Sequence, residues 1–292
     1  MGETTIILEE LGRGGGGKVH KALHVPSMRL VAVKIMEVHD DEKRHQLIRE
    51  LKTLNSMVRV SRCGVLFGAN RRGGWSAAVN REGNLAFHDA YTEIESGSVC
   101  MVMEYMDGGT LQKFVSQGES LSDPALAAVA RSVLRGLAHM HSKHQIHRDI
   151  KPSNILLDRN GRVKLSDFGV VRELTETGSL AKTFTGTLTY MSPERITHKN
   201  YSYSSDIWSL GLVIVTLALG KFPLRTQGSL FDMMQAIATD PVPALSRKSF
   251  TPELCDFVDS MLQRNPADRP TARAMLRHPF LARYHNCRKL AD

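Results

Sequence analysis

A glycine-rich run, Gly12-Arg13-Gly14-Gly15-Gly16-Gly17-Lys18-Val19, lies between two stretches that both read as β-strands, and this placement rules out two common folds. Ile6 to Leu11 is an apolar-rich strand ending in the glycines, and a second short strand follows to about Leu23. A Walker A loop needs Gly-Lys-Ser/Thr and opens a helix. A dinucleotide-binding fold also opens a helix after its glycines. Strand–glycine–strand fits neither. Without a Cβ, glycines let backbone amides approach an anion closely. Four in succession, 14 to 17, cost more chain entropy than a plain hairpin turn requires.

Leu30 to Ile35 alternates, with Leu30, Ala32 and Lys34 on one strand face and Val31, Val33 and Ile35 on the other. From Asp40 to about Met57 the period becomes helical, with Leu47, Leu51 and Leu54 forming an apolar stripe. Glu50 projects from the same stripe. A carboxylate there needs water or a partner, because a buried unpaired charge is strongly destabilising; Lys34 is the nearest candidate. Residues from about Val58 to Gly83 carry Arg59, Arg62, Arg71, Arg72 and Arg81 with Gly73-Gly74 and almost no acidic residues. This composition predicts a long basic surface loop, either a disordered insertion or a contact for a partner.

Strands resume near Leu85 to Tyr91 and Val99 to Met103, and Met106-Asp107-Gly108-Gly109 makes a flexible joint. Asp123-Pro124 opens a helix to about Lys143, with Leu126, Ala130, Val133, Leu134, Leu137 and His141 on one face. Two short strands (Ile155 to Leu157, Val163 to Leu165) precede a Ser/Thr-rich segment up to Glu194. A buried helix, Ser204 to Leu219, is then expected, followed by amphipathic helices near Leu230–Ala238, Pro252–Leu262 and Thr271–Leu276. The fold class is α+β. It comprises a β-rich small lobe with one main helix over 1–105, including the basic insertion at about 58–83, and an α-rich large lobe over 106–292.

A chain of 292 residues is long enough for a core split in two. Cys63, Cys100, Cys255 and Cys287 show no metal-ligand spacing and read as free thiols in a reducing compartment. No basic-then-apolar leader is read at the start. The longest apolar run, Ile207 to Leu219, is shorter than the ~20 residues a membrane span needs. A cytoplasmic protein with no membrane span is therefore expected. The net charge of +8 is dispersed and accompanies no nucleic-acid module, so no nucleic-acid partner is expected. An acidic phosphate donor or acidic protein partner would suit that charge equally well.

Taken in order, the remaining motifs resemble those of the eukaryotic protein kinase superfamily over essentially the whole chain. They are Gly12-x-Gly14-x-x-Gly17-x-Val19, Val31-Ala32-Val33-Lys34, Glu50 on the following helix, and His147-Arg148-Asp149-Ile150-Lys151-Pro152-Ser153-Asn154. Asp167-Phe168-Gly169, Ser192-Pro193-Glu194, Asp206-Ile207-Trp208 and Arg269 follow. Each is weak alone; eight in register are not a coincidence.

The resemblance implies the bilobal protein kinase fold, with ATP and Mg²⁺ as cofactors. It implies that Lys34 holds the α- and β-phosphates and pairs with Glu50, that Asp149 accepts the substrate hydroxyl proton, and that Lys151 neutralises charge on the moving phosphoryl group. Asn154 and Asp167 would hold the metal. Nucleotide contacts are implied at Gly12, Arg13, Gly14, Gly15, Gly16, Gly17, Lys18, Val19, Ala32, Lys34 and Glu50. They are also implied at Met103 (the gatekeeper position), at Glu104 and Met106 of the hinge, and at Ser153 and Asn154. Glu194 would pair with Arg269, and Asp206 would brace the catalytic loop.

The stretch Gly186-Thr187-Leu188-Thr189-Tyr190-Met191-Ser192-Pro193-Glu194-Arg195-Ile196 is similar to the MAP kinase kinases, dual-specificity enzymes acting on a Thr-x-Tyr loop. Glu104-x-Met106-Asp107-Gly108-Gly109-Thr110-Leu111 and Lys-Pro-Ser-Asn point the same way. Ser179 and Thr183 fit that family's activation pair. A MAP kinase substrate and an upstream MAP kinase kinase kinase are the implied partners. The basic insertion departs from the family pattern, and no docking segment is read ahead of the first strand, so a trimmed, relocated or different docking element is expected. Two alternatives stand beside this reading: an upstream MAP3K or Ste20-like kinase, and a pseudokinase scaffold.

Overall fold

The computed structural model describes residues 5–14, 17–38, 83–93, 96–166, 189–197, 202–224 and 230–287. The expected 40–57 helix with Glu50, the basic stretch 58–82, Gly15, Gly16, Asp167, Ser179 and Thr183 lie outside the described residues. The chain divides into two compact units, one of strands over the described residues up to Tyr105 and one mostly helical from Met106 onward; Asn84 and its predecessor belong to the helical unit. The α+β class expected from the sequence is present.

In the first unit, β1 (Thr5–Gly14), β2 (Gly17–His24), β3 (Arg29–Glu37), β4 (Phe87–Glu93) and β5 (Ser98–Glu104) form an antiparallel sheet in the order β1-β2-β3-β5-β4. The run Val31 to Met36 is nearly all apolar because both faces of β3 are covered. Val31 and Val33 pack with Ala22, Cys100 and Val102 on one side. Met36 packs with Ala90, Val99 and Met101 on the other. Period-two alternation therefore places Lys34 on the Met36 face.

In the second unit, β6 (Gly109–Thr110), β7 (Ile155–Leu157) and β8 (Val163–Leu165) form a small sheet. The helices are α1 (Gln112–Gln117), α2 (Asp123–His141), α3 (Pro193–Ile196), α4 (Tyr203–Leu219), α5 (Leu230–Thr239), α6 (Pro252–Met261), α7 (Ala272–Met275) and α8 (Pro279–Arg283). Apolar residues around the whole circumference of α4, including Ile207, Trp208, Leu210, Leu212 and Val215, are buried, as a helix without a polar face must be. Leu126, Ala130, Val133, Leu134 and Leu137 of α2 pack into the same core. Among the described residues no helix is long and apolar enough to cross a membrane.

Gly83 differs from the expectation of a surface loop running to that position. It is buried, and its carbonyl accepts a hydrogen bond from Leu165 N–H at 2.7 Å. With φ +93°, a Cβ there would lie 2.1 Å from the Ser132 carbonyl oxygen and 2.5 Å from Gly136 N. Asn84 follows, donating through Nδ2 to the Gly136 carbonyl at 3.1 Å. The chain therefore returns to packed structure against α2 before β4 begins. Leu85, buried beside this anchor, precedes the strand rather than opening it.

Candidate active site

Strand register assembles the sheet's share of the predicted site. Gly12 lies opposite Val19, Val19 opposite Lys34, and Ala32 opposite both Lys21 and Met103. Directly opposed residues in an antiparallel pair share a face. Gly12, Val19, Ala32, Lys34 and Met103 therefore lie on one side of the sheet, while Glu104, opposite Val31, belongs to the other. Lys34 is buried, 8% exposed.

Gly17 requires glycine for packing: φ is +116°, and a Cβ would lie 2.1 Å from the Ile35 carbonyl oxygen. A Cβ on Gly12 would meet nothing within 4 Å among the described residues, so packing does not explain that glycine. A residue without a side chain on the Lys34 side of the sheet suits close approach of its backbone to a phosphate-bearing ligand. Gly14 pairs with Gly17 at the end of the hairpin. Arg13 reaches Glu10 at 3.2 Å on the surface, and Lys18 lies opposite Ile35, on the face away from Lys34. At the hinge, Glu104 exchanges hydrogen bonds with Ala86: its N–H donates to the Ala86 carbonyl at 2.9 Å, and its Oε2 accepts from Ala86 N–H at 3.2 Å. Met106 is buried in the second unit.

The helical unit brings together the loop between α2 and β7. Asp206, in the first turn of α4 and 1% exposed, accepts from His147 N–H, Arg148 N–H and His141 Nε2, each at 2.9 Å. Two consecutive backbone amides are thus pinned by one carboxylate. Arg148 adopts φ +71°, in the left-handed region, which a side-chain-bearing residue keeps only where its surroundings over-determine it. Arg195 of α3 donates through Nη1 to the Arg148 carbonyl oxygen.

Asp149 emerges from this constrained segment. Its carboxylate Oδ2 accepts from Asn154 Nδ2 at 3.0 Å and lies 2.9 Å from Lys151 Nζ. Asn154 Nδ2 also donates to the Asp149 carbonyl at 2.8 Å. With Nδ2 committed to Asp149, the other polar atom of the Asn154 side chain is its amide oxygen, the kind of donor that hard divalent cations prefer. Ser166 N–H and Oγ both donate to the Asn154 carbonyl, at 2.9 and 3.1 Å, while the Ser166 carbonyl meets His147 Nε2 at 2.8 Å. The strand that leads into Asp167 is therefore tied to Asn154, although Asp167 itself is outside the described residues. Ser153 sits within the 3₁₀ turn Pro152–Asn154, half-buried.

A buried charge pair supports the floor of this region. Arg269 Nη1 and Nη2 donate to Glu194 Oε1 and Oε2 at 2.8 and 2.9 Å, and Ser205 Oγ donates to Oε1 at 2.8 Å. Burial alone would push the Glu194 carboxyl up; the hydrogen bonds from Arg269, aided by Ser205, outweigh it and hold the group down at about 2. The Arg269 guanidinium also lies over Trp208, 5.0 Å from the ring centroid.

Two contributors escaped the sequence reading. His141 reads there only as one member of the apolar face of α2, yet it caps Asp206; a histidine ending an apolar stripe was the available signal. Arg195 carries no such signal, because a hydrogen bond to a distant carbonyl leaves no pattern in sequence. The expected Lys34–Glu50 pair falls on an undescribed residue.

The protein kinase domain family matches residues 6–281. The chain is 38% identical over 286 residues to mitogen-activated protein kinase kinase 2 of Arabidopsis thaliana, covering 95% of this chain and 72% of that protein. It is 36% identical to mitogen-activated protein kinase kinase 3 of the same plant, over 94% of this chain and 49% of that protein, so it spans about half of that relative's length. Against the MAP kinase kinase PBS2 of Saccharomyces cerevisiae the identity is 39%, over 96% of this chain and 40% of that protein.

Proposed function

The chain is a protein kinase of the MAP kinase kinase family, and from that premise we propose that it is a dual-specificity enzyme transferring the γ-phosphoryl group of ATP to Thr and Tyr of a MAP kinase activation loop. The observation that carries the catalytic reading is the Asp149 carboxylate, held by Asn154 at 3.0 Å with Lys151 Nζ at 2.9 Å, on a loop whose amides are pinned by Asp206. This pairing of one oriented carboxylate with one adjacent ammonium suits transfer of a strongly anionic group to a hydroxyl.

Asp149 accepts the proton of the substrate hydroxyl as its oxygen bonds to the γ-phosphorus and the bond to the β–γ bridging oxygen breaks, releasing ADP. Lys151 offsets charge on the moving group, and Lys34 holds the α- and β-phosphates. Positioning and charge neutralisation dominate such a transfer. Asn154 and Asp167 would hold Mg²⁺, which when bound supplies further neutralisation of the phosphate charge. The nucleotide is assigned to the Gly12–Val19 segment, Ala32, the hinge at Met103, Glu104 and Met106, and Ser153 with Asn154. Phosphorylation of Ser179 and Thr183 by an upstream MAP kinase kinase kinase is the proposed activating event, in the cytoplasm.

The test is phosphosite mapping after incubating the purified, activated chain with a panel of catalytically inactive MAP kinases and, separately, catalytically inactive MAP kinase kinases. Phosphate on both residues of a Thr-x-Tyr loop is the expected result. Phosphate confined to Ser/Thr of MAP kinase kinases would place the chain one tier higher. No incorporation under any condition, with nucleotide still bound, would make it a scaffold.

A further inference from the structure

We propose that Arg195 is a positioning residue for Asp149: by gripping the Arg148 carbonyl it fixes the peptide plane from which Asp149 departs. The inference rests on reading Asp149 as the proton acceptor.

Both peptide planes around Arg148 need an anchor, because φ +71° is not a conformation the residue would keep unaided. The plane before it is held through Arg148 N–H, which donates to Asp206 Oδ1 at 2.9 Å. The plane after it joins Arg148 to Asp149. Its N–H donates to His147 Nδ1 at 3.3 Å. Its carbonyl receives the Arg195 guanidinium, and a charge-assisted hydrogen bond of this kind is roughly twice as strong as a neutral one.

Arg195 is itself well placed to hold a position. It is half-buried, and its N–H donates to Ser192 O at 3.0 Å. It adjoins Glu194, whose carboxylate is clamped by Arg269 and Ser205. The guanidinium thus acts from a fixed turn onto a strained loop. If the second plane rotates, the Asp149 carboxylate leaves the place defined by Asn154 and Lys151, and a displacement of about 1 Å in a catalytic group can cost on the order of 100-fold in rate.

The experiment compares Arg195→Met with the unsubstituted chain after identical activation, measuring single-turnover phosphoryl transfer, nucleotide Kd and thermal midpoint. Turnover should fall about 10- to 100-fold, with nucleotide Kd within about twofold. Arg195→Lys, which retains one cationic donor, should recover part of the loss. In an Asp149→Ala background the same Arg195→Met change should alter the residual rate by less than about twofold, because a positioning residue has nothing left to position. Unchanged turnover in Arg195→Met, or a full loss that persists in the Asp149→Ala background, overturns the proposal. Should Arg195→Met not fold, Arg195→Gln, shorter and uncharged, is judged by the same criteria. Asp149→Ala measured alone separates the two layers. Normal turnover there sinks the reading of Asp149 itself, whereas an inactive Asp149→Ala beside a normal Arg195→Met sinks only the role of Arg195.

Discussion

Replacing Arg269 by Met removes the partner of a carboxylate that has almost no access to water. The Arg269 side chain is 0% exposed and that of Glu194 5%. The paired Glu194 carboxyl sits at about 2, against an ordinary value near 4.3. A difference of roughly two pKa units corresponds to about 3 kcal/mol of stability at neutral pH. Because the folded-state value is depressed, that contribution is complete above the unfolded value and is lost as pH falls from about 4.3 toward 2. Without Arg269, burial becomes the dominant influence and pushes the carboxyl above its unfolded value. The sign of the pH dependence then reverses for this group.

Arg269→Met should therefore destabilise the folded chain by about 3–5 kcal/mol at pH 7.5, the usual cost of stranding a buried charge. The deficit should narrow as pH is lowered toward 5.5, where the stranded acid can take up a proton. Glu194→Gln combined with Arg269→Met leaves no charge to strand and should recover at least about 1 kcal/mol. Urea unfolding followed by far-ultraviolet circular dichroism at both pH values provides the measurement. A deficit below about 1 kcal/mol, or one equal at the two pH values, would refute the reasoning.

Lys34→Met should abolish phosphoryl transfer while leaving the chain folded, and Asp149→Ala should lose turnover yet still bind nucleotide; radiolabelled single-turnover assays, circular dichroism and a nucleotide titration check both. Gly83→Ala should destabilise the chain by about 2–3 kcal/mol or more, since the new Cβ collides with backbone of α2 at a positive φ, and denaturant titration would show it. Replacing Ser179 and Thr183 together by Ala should leave only basal activity after treatment with an upstream kinase; full activation with phosphate on Thr175 or Thr177 would mean a different pair.

Much of the fold was legible wherever periodicity was strong and local. β7 and β8 fall on the expected residues, and α4 begins one residue before its expected start. Ends and short elements were less so. α2 stops at His141 rather than near Lys143, where His144 adopts φ +58° and turns the chain. The expected Thr271–Leu276 helix shrinks to Ala272–Met275, with the Thr271 side chain accepting from Ala274 N–H as its cap. β4 runs from Phe87 to Glu93, later than Leu85 to Tyr91, because Leu85 is buried beside the Gly83–Asn84 anchor. Apolar character alone could not distinguish a residue packed next to an anchor from one in a strand. The candidate site residues are marked in the sequence by type and order; the hydrogen-bond partners of those that are described are not. Glu194 and Arg269 stand 75 positions apart, and only family resemblance linked them.

The polar framework of the helical unit converges on α3 and the first turn of α4. Glu194 and Arg195 are neighbours in sequence but serve different partners: the first is locked to Arg269 and Ser205, the second to the Arg148 carbonyl. Ser205 and Asp206 repeat this division one element later, Ser205 bonding Glu194 and Asp206 holding the amides of His147 and Arg148. Each adjacent pair thus has one member facing the buried charge pair and one facing the loop that carries Asp149. Beyond its first turn α4 is apolar except at Ser209, which donates to the Tyr190 carbonyl at 2.7 Å, and Thr216, which bonds back to the Leu212 carbonyl. Its N-terminal turn, where backbone N–H groups favour a carboxylate, is where such contacts can be concentrated. Placing Asp206 there ties the loop that carries Asp149 to a helix buried along most of its length, so the core as well as the loop's own Asn154 and Lys151 holds the geometry around Asp149.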